Sequence, residues 1–289
     1  MLARAIELDE GSAERPPVTW RAKSNLGVFL MWADDFDEAR AILEADRQDA
    51  ADEGDWSSLP DILWQLAELE LCAGDWERAA DYANTCVEAA EWTEQAVVIS
   101  LNRCARGLVN AHLGLADLAR CDAEAGLAFA EERADPWVSG WGLRVLGFLE
   151  LSLGRLADAS RYLSRVDDIA ESIGLLEPGQ WRFHADHLEA LIGLGELGRA
   201  GDLLARFEER ARRNGRPWPL ATSARSRALL LAAEQDPDGA AVAIEQALAY
   251  HQRLAMPFEL GRTLLAQGQL RRRAKQKRAA RESLQEARA

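Results

Sequence analysis

No stretch of this chain approaches the roughly 20 consecutive apolar residues that a bilayer-spanning helix needs, which argues against a membrane role. No GxxxxGK[ST], GxSxG or HExxH motif occurs, so the sequence offers neither a phosphate-cradling loop nor a recognisable hydrolytic centre. The four cysteines, Cys72, Cys86, Cys104 and Cys121, show no CxxC spacing. They read as reduced, mostly buried thiols rather than as a disulfide framework or a zinc site. The opening residues MLARAIELDEGSAERPP are acidic where an export signal would be apolar, which predicts a cytoplasmic chain. Val, Ile and Thr are scattered and nothing alternates with a period of two, so a sheet is not expected. The formal net charge of −14 disfavours a surface that grips nucleic acid or anionic lipid.

The sequence is rich in Ala, Leu, Glu and Arg, which lose little side-chain entropy in a helix, and these residues are arranged in a repeat. DDFDEAR, GDWERAA, GLADLAR, GRLADAS, GELGRAG, QDPDGAA and AKQKRAA recur along the chain, with turn alanines at Ala39, Ala79, Ala119, Ala159, Ala200, Ala240 and Ala279. Each unit reads as helix A, a tight turn and helix B, with a period near 40 residues. Gly74, Gly114, Gly154 and Gly195 mark the end of helix A, where a left-handed residue closes the helix. Small residues in helix A (Gly27, Ala67, Gly107, Gly147, Ala228) allow close approach of neighbouring helices. Leu43, Ala83, Ala123, Leu163, Leu204 and Ile244 extend the apolar face of helix B. Prolines 17, 60, 136, 178, 217 and 257 precede or open helix A.

The predicted fold is all-α, an α-solenoid of about seven tetratricopeptide-like helix pairs forming a single domain over residues 1–289. Residues 1–16 read as the remnant of a preceding unit, and the chain as a piece of something longer or one completed by a partner. Self-association through uncapped ends is a further expectation.

The segment HQRLAMPFELGRTLLAQGQLRRRAKQKRAARESLQEA, 251–287, resembles the last repeats of large ATP-binding LuxR-type transcriptional regulators, relatives of the maltose-regulon activator. The array from about residue 20 onward is similar to their helical sensor region. The resemblance implies a segment that receives an inducer or partner protein and relays assembly. The nucleotide-binding and helix-turn-helix modules of that family have no counterpart in this sequence. The resulting reading is a non-catalytic ligand- or partner-binding segment of a signal-responsive regulator, with a free-standing peptide- or protein-binding adaptor as the alternative.

Candidate binding residues follow from the register of helix A, which lines the concave face in tetratricopeptide-like arrays. They are Trp64, Glu68, His112, Trp141, Arg144, Arg182, Asp186, Glu189 and Arg225, a lining suited to a peptide, a protein segment or a small polar inducer. Most of the ten tryptophans are expected to seal seams between units. Residues 262–289 hold nine Lys/Arg against two Asp/Glu, a local +7 that leaves −21 upstream. Arg271, Arg272, Arg273, Lys275, Lys277 and Arg278 form a basic docking patch, read as a solvated face, a contact to an acidic neighbour or a phosphate contact, with no direct nucleic-acid binding expected of this chain. His184 and His187 stand at i and i+3 with Glu189 nearby, but no third ligand of matched geometry follows, so no metal is expected. No cofactor and no catalytic residue is predicted.

Overall fold

The computed structural model describes residues 16–287 together with 4, 6 and 7. Most of residues 1–16, and with them the remnant assigned to a preceding unit, lie outside the described residues. Among the described residues the chain is helical throughout, without strands. After a 3-10 turn at Val18–Trp20 come α1 (Ala22–Trp32), α2 (Phe36–Glu53), α3 (Leu59–Ala73), α4 (Trp76–Trp92), α5 (Ala96–His112), α6 (Ala116–Arg133) and α7 (Pro136–Ser152). They are followed by α8 (Leu156–Ser172), the short α9 (Pro178–Trp181), α10 (His184–Gly193), α11 (Leu197–Asn214), α12 (Pro217–Ala233), α13 (Pro237–His251), α14 (Pro257–Arg273) and α15 (Lys277–Glu286). Odd-numbered helices up to α7, then α9 with α10, α12 and α14, are the A helices; the others are the B helices. The architecture is an all-α series of tetratricopeptide-like helix pairs. No helix among the described residues is long and apolar enough to cross a membrane.

One backbone device is used at every A-to-B turn. The residue that ends the turn is left-handed in all seven: Gly74, Gly114, Gly154 and Gly195, but also Asp34, Gln235 and Lys275. The next residue donates its N–H back across the helix end: Asp35 to Leu30, Asp75 to Glu70, Leu115 to Asn110, Arg155 to Glu150, Glu196 to Leu191, Asp236 to Leu231 and Gln276 to Arg271, all at 2.8–3.0 Å. This is the six-to-one bond of a Schellman closure, which satisfies a carbonyl that the helix leaves open.

Four residues beyond that donor stands the helix-B alanine. Ala39, Ala79, Ala119, Ala159, Ala200 and Ala240 are all essentially inaccessible. In the last unit the position belongs to Ala280, not Ala279: Ala280 is 3% exposed and donates to Gln276 O, as Ala240 does to Asp236 O, while Ala279 is only half-buried. Two adjacent alanines satisfy the local pattern there, and burial selects Ala280. A second buried series, Ala50, Ala90, Ala130, Ala170 and Ala211, closes the B helices at the opposite end.

By packing, the chain divides into two compact units, Met1–Leu149 and Glu150–Ala289. In the first, α1 pairs with α2, α3 with α4 and α5 with α6, and the A helices α3 and α5 also pack side by side. Small residues set the spacing. A methyl on Gly107 would stand 3.2 Å from Ala119 O, and one on Gly126 would collide with Cys104 Sγ. Glu70, buried on α3, receives a two-pronged contact from Arg40 of α2 at 2.7 and 3.0 Å and another from Arg78 of α4 at 3.1 Å, so one carboxylate joins three helices. Cys86 and Cys104 are buried and Cys72 half-buried, whereas Cys121 is exposed. Burial pushes the Cys86 and Cys104 thiols up to about 12, which makes them inert packing groups.

In the second unit the A helix of the fifth pair is broken. α9 ends at Arg182, which is left-handed with φ +40°, and α10 starts two residues later. The 41-residue interval between Gly154 and Gly195 includes this stretch, so the odd residue of the repeat coincides with the break. On either side, α12 packs against α13 and α14 against α15, and α12 lies beside both α10 and α14.

The turn chemistry yields a paired prediction. Gly114 (φ +76°) has open space where a methyl would stand, so Gly114→Ala should cost about 1 kcal/mol for the left-handed backbone alone. Ala134, exposed at φ +53°, should gain roughly 0.5 kcal/mol on replacement by Gly, because relief of the left-handed penalty is partly offset by unfolded-chain entropy. Urea unfolding midpoints that move in opposite directions for the two variants are the expected result.

Candidate functional site

The residues read from the sequence as a binding face come together within each unit, and most are buried against one another. In the first unit, Arg144 of α7 donates to Glu68 of α3 at 2.9 Å and lies 4.7 Å over the Trp141 ring. Trp141 in turn meets Trp64 of α3 edge-on at 5.0 Å. These contacts join the A helices of the second and fourth pairs across the intervening one. His112 is half-buried, with Nδ1 2.9 Å from Leu108 O and its ring stacked on Phe148 at 4.1 Å. An Arg flanked by a carboxylate and an indole face is stabilised by both, and the low-dielectric surroundings strengthen each contact.

The second unit repeats the arrangement with more charge. Arg262 of α14 reaches Asp186 at 2.7 Å, Glu189 at 2.7 Å and Glu259 at 3.2 Å, so the A helices of the fifth and seventh pairs touch. Arg225 of α12, 2% exposed, binds the other oxygen of Glu259 at 2.6 Å. Burial opposes the charge on Glu259, but Arg225 and Arg262 outweigh it and hold the carboxyl down at about 2. Burial pushes Asp186 upward despite Arg262. Glu189 is lowered on balance: burial works against ionisation, and Arg262 and Arg225 overcome it. Arg182, at the helix break, lies 4.7 Å over Trp218 with Nη1 3.6 Å from Met256 Sδ.

Three imidazoles are buried near this layer. His251 Nε2 lies 2.8 Å from Thr263 Oγ1, a hydroxyl that also lies 3.0 Å from Glu259 O. His184 is stacked between Phe183 at 4.1 Å and Phe207 at 4.7 Å. His187 Nε2 lies 3.2 Å from Ser164 Oγ. That Ser–His contact is not a nucleophile and its base: Nδ1 of His187 has no partner to orient it, and burial, with Arg199 and Arg206 adding to it, lowers the imidazole to about 4. Among the described residues no group of three His, Cys, Asp or Glu is placed to hold a metal.

Open space lies at the A-to-B turns of the second unit. A groove of about 1140 Å³ runs past the ends of α10, α12 and α14 and the starts of α13 and α15. Its apolar lining includes Ile192, Leu229, Ile244 and Leu270, and its polar lining Gln235, Gln269 and Gln276 with charges of both signs, Asp238, Glu245, Arg271 and Arg273. Of the nine residues read from sequence only Glu189 lines it. The basic patch sits on the α14–α15 turn. Arg271 is engaged with Ser283 at 2.8 Å and Glu245 at 3.4 Å, and Arg278 with Glu282 at 3.0 Å. Arg272 and Lys277, with Arg281, border a second cavity of about 480 Å³ floored by Leu284. Lys275 is the left-handed residue of the turn itself. Sequence reasoning missed the groove because turn glutamines carry no motif; their recurrence at successive turns is the only signal.

No family model and no curated protein matches the chain. Solved structures do. The crystal structure of a Rap protein complexed with Competence and Sporulation Factor superposes with a TM-score of 0.62 at 14% identity, over 92% of this chain and 76% of that one. A tetratricopeptide repeat protein from Parabacteroides merdae gives 0.49 at 15% identity, covering 92% and 91%. The TPR2AB-domain:pHSP90-complex of yeast Sti1 gives 0.32 at 14% identity, covering 92% and 97%. What is shared at this identity is the fold: a tetratricopeptide-like array of helix pairs.

Two outcomes follow from the buried layer. Arg262→Met should destabilise the chain by about 3 kcal/mol or more in urea unfolding, because it strands Asp186, Glu189 and Glu259 without their shared cation. Removing Arg262 and Glu259 together should cost less than the two single losses summed. The second outcome concerns pH. Burial, with Arg210 adding to it, holds His184 at about 3, below the usual 6.5 or so of an unfolded imidazole. The unfolded chain therefore binds one more proton at this site, and the stability present above pH of about 6.5 is lost as pH falls toward the folded value. His184→Phe keeps the ring stack, and its unfolding free energy should fall less steeply between pH of about 6.5 and 4 than that of the parent, by up to one proton.

Proposed function

We propose that the chain is a non-catalytic binding segment that captures a peptide or protein segment in the groove of its second unit. The observation that carries the reading is the groove itself: an apolar floor under side-chain amides that offer both a donor and an acceptor. Gln235 and Gln276 border it on two successive A-to-B turns and Gln269 from within α14, an arrangement that pairs with the main chain of an extended segment whatever its side chains. Arg273, exposed at the rim, with Arg272, Lys277 and Arg281 around the neighbouring cavity, offers cations to acidic residues of the captured segment, and Asp238 and Glu245 on the α13 side offer carboxylates to basic ones. The fold neighbour crystallised with Competence and Sporulation Factor supports capture of a signal by this architecture. The resemblance of residues 251–287 to LuxR-type regulators supports a finer reading, in which capture is the input of a transcriptional regulator of that type. The cytoplasm is then the place of action.

Selection on a display library of random linear peptides tests the binding reading. Recovered sequences should carry residues of both charge signs, and Arg273→Glu combined with Gln269→Ala should weaken a labelled peptide about tenfold or more by anisotropy. Recovery of no binder, or binding indifferent to both substitutions, sinks it. The regulator context is tested by the mass of the native polypeptide in the source cell. A mass far above 31.9 kDa is the expected result, and one near that value favours the free-standing adaptor.

A further inference from the structure

Three tryptophans of the first unit are left in solvent. Trp20, Trp56 and Trp92 are 76%, 64% and 88% exposed, while Trp64 and Trp141 of the same unit are 6% and 2% exposed. Packing uses the second pair; the first three contribute little to the core. All three stand at the end of the unit where A helices begin: Trp20 just ahead of α1, Trp56 between α2 and α3, and Trp92 at the end of α4. Val18 N–H bonds Asp55 at 2.8 Å and the Thr19 hydroxyl lies 3.2 Å from that of Ser58, which fixes Trp20 beside the loop bearing Trp56. Trp92 ends α4, on the loop leading into α5, and α5 packs beside α3, so its loop neighbours the one before α3.

This edge is acidic. Asp52, Glu53, Glu88, Glu91 and Glu94 are exposed on the same loops and helix ends, and residues 81–95 contain four carboxylates and no Lys or Arg. Arg21 is engaged with Glu53 and Asp49 and Arg103 with Glu91, and Lys23 is exposed on the first turn of α1. Among the described residues, no guanidinium lies over any of the three exposed indoles. The molecule shows elsewhere what completes such a pair, for Arg144 sits on the Trp141 face while donating to Glu68. The exposed edge presents indole faces without the cation.

We propose that the Trp20–Trp56–Trp92 edge is a docking surface for a Lys/Arg-rich, extended segment of a partner protein, whose cations stack on the indoles and pair with the flanking carboxylates. Tryptophan is the strongest aromatic partner for such cations, and indoles on an exposed face are the residue type that concentrates binding energy at interfaces. The negative field of the edge brings a basic segment in and turns away acidic chains and phosphate backbones. This surface is independent of the groove in the second unit.

The test uses the whole chain and a fluorescein-labelled peptide of alternating Arg and Ser, with Gln–Ser and Glu–Ser peptides as controls, read by anisotropy near physiological salt. The Arg–Ser peptide alone should bind, and Trp56→Ala with Trp92→Ala should weaken it about tenfold or more. Because both side chains are exposed, the variant should keep the parent's circular dichroism and melting temperature. Glu91→Gln with Glu94→Gln should weaken the same peptide and reduce its salt dependence. Affinity unchanged in the tryptophan variant overturns the proposal, since charge alone then accounts for binding. Equal binding of the Gln–Ser or Glu–Ser peptide overturns it as well. So does self-association of the free chain that the tryptophan variant abolishes, which would assign the edge to a second copy.

Discussion

The approach of helix B onto helix A at the buried alanine is the contact on which the rest of the array depends. A methyl added to Gly107 would stand within 3.2 Å of Ala119 O, and one on Gly268 within 3.4 Å of Ala280 O. Two helices that close cannot be joined by a slack loop. The seven Schellman turns, each with the same back-bond, supply the one geometry that delivers helix B at the required distance. That Asp34, Gln235 and Lys275 tolerate a left-handed backbone in three of them shows how strongly the packing dictates the turn, since an L residue gives up energy there that glycine does not.

Close helix pairs leave the inner layer of A helices with little room, and this explains the fate of the charged residues there. Side chains from pairs two apart meet: Glu68 with Arg144, and Asp186 with Arg262. Once desolvated, each charge must be matched, and the matching uses up the groups that would otherwise meet a ligand. Open space lies at the turns of the second unit, where the A helices end and Gln235 and Gln276 stand with the Arg271–Glu245 pair. The buried layer thus acts as a brace, and the groove beside it is held by that brace through Glu189, which belongs to both.

The repeat, its period and the helix-pair fold were legible in the sequence because each rests on local chemistry: a glycine that closes a helix, a small residue that admits a neighbour, a proline that opens the next helix. The error at Ala279 came from the same source, since two adjacent alanines satisfy the local pattern equally and only burial selects Ala280. The break at Arg182 was not legible. Pro178 and Gly179 stand just ahead of it, where they read as the opening of helix A, and its left-handed backbone lies between Trp181 and Phe183, both 1% exposed. Helix register told which side chains share the inner layer. It carried no information on whether they face a ligand or each other, because that depends on how far apart the A helices of alternate pairs lie.

The tryptophans make the same distinction from the other side. A period near 40 places indoles both inside and outside, and composition gives no means of separating them; the seam-sealing role fits Trp64 and Trp141 and fails for Trp20, Trp56 and Trp92. An indole is among the largest apolar surfaces a chain can bury, so a fold that had a seam for these three would have gained by closing over them. Their exposure leaves three indole faces without a partner ring or guanidinium among the described residues of the unit that carries them. The Arg144–Trp141–Glu68 unit shows what such a contact looks like when it is complete, and it is complete only where a guanidinium is supplied.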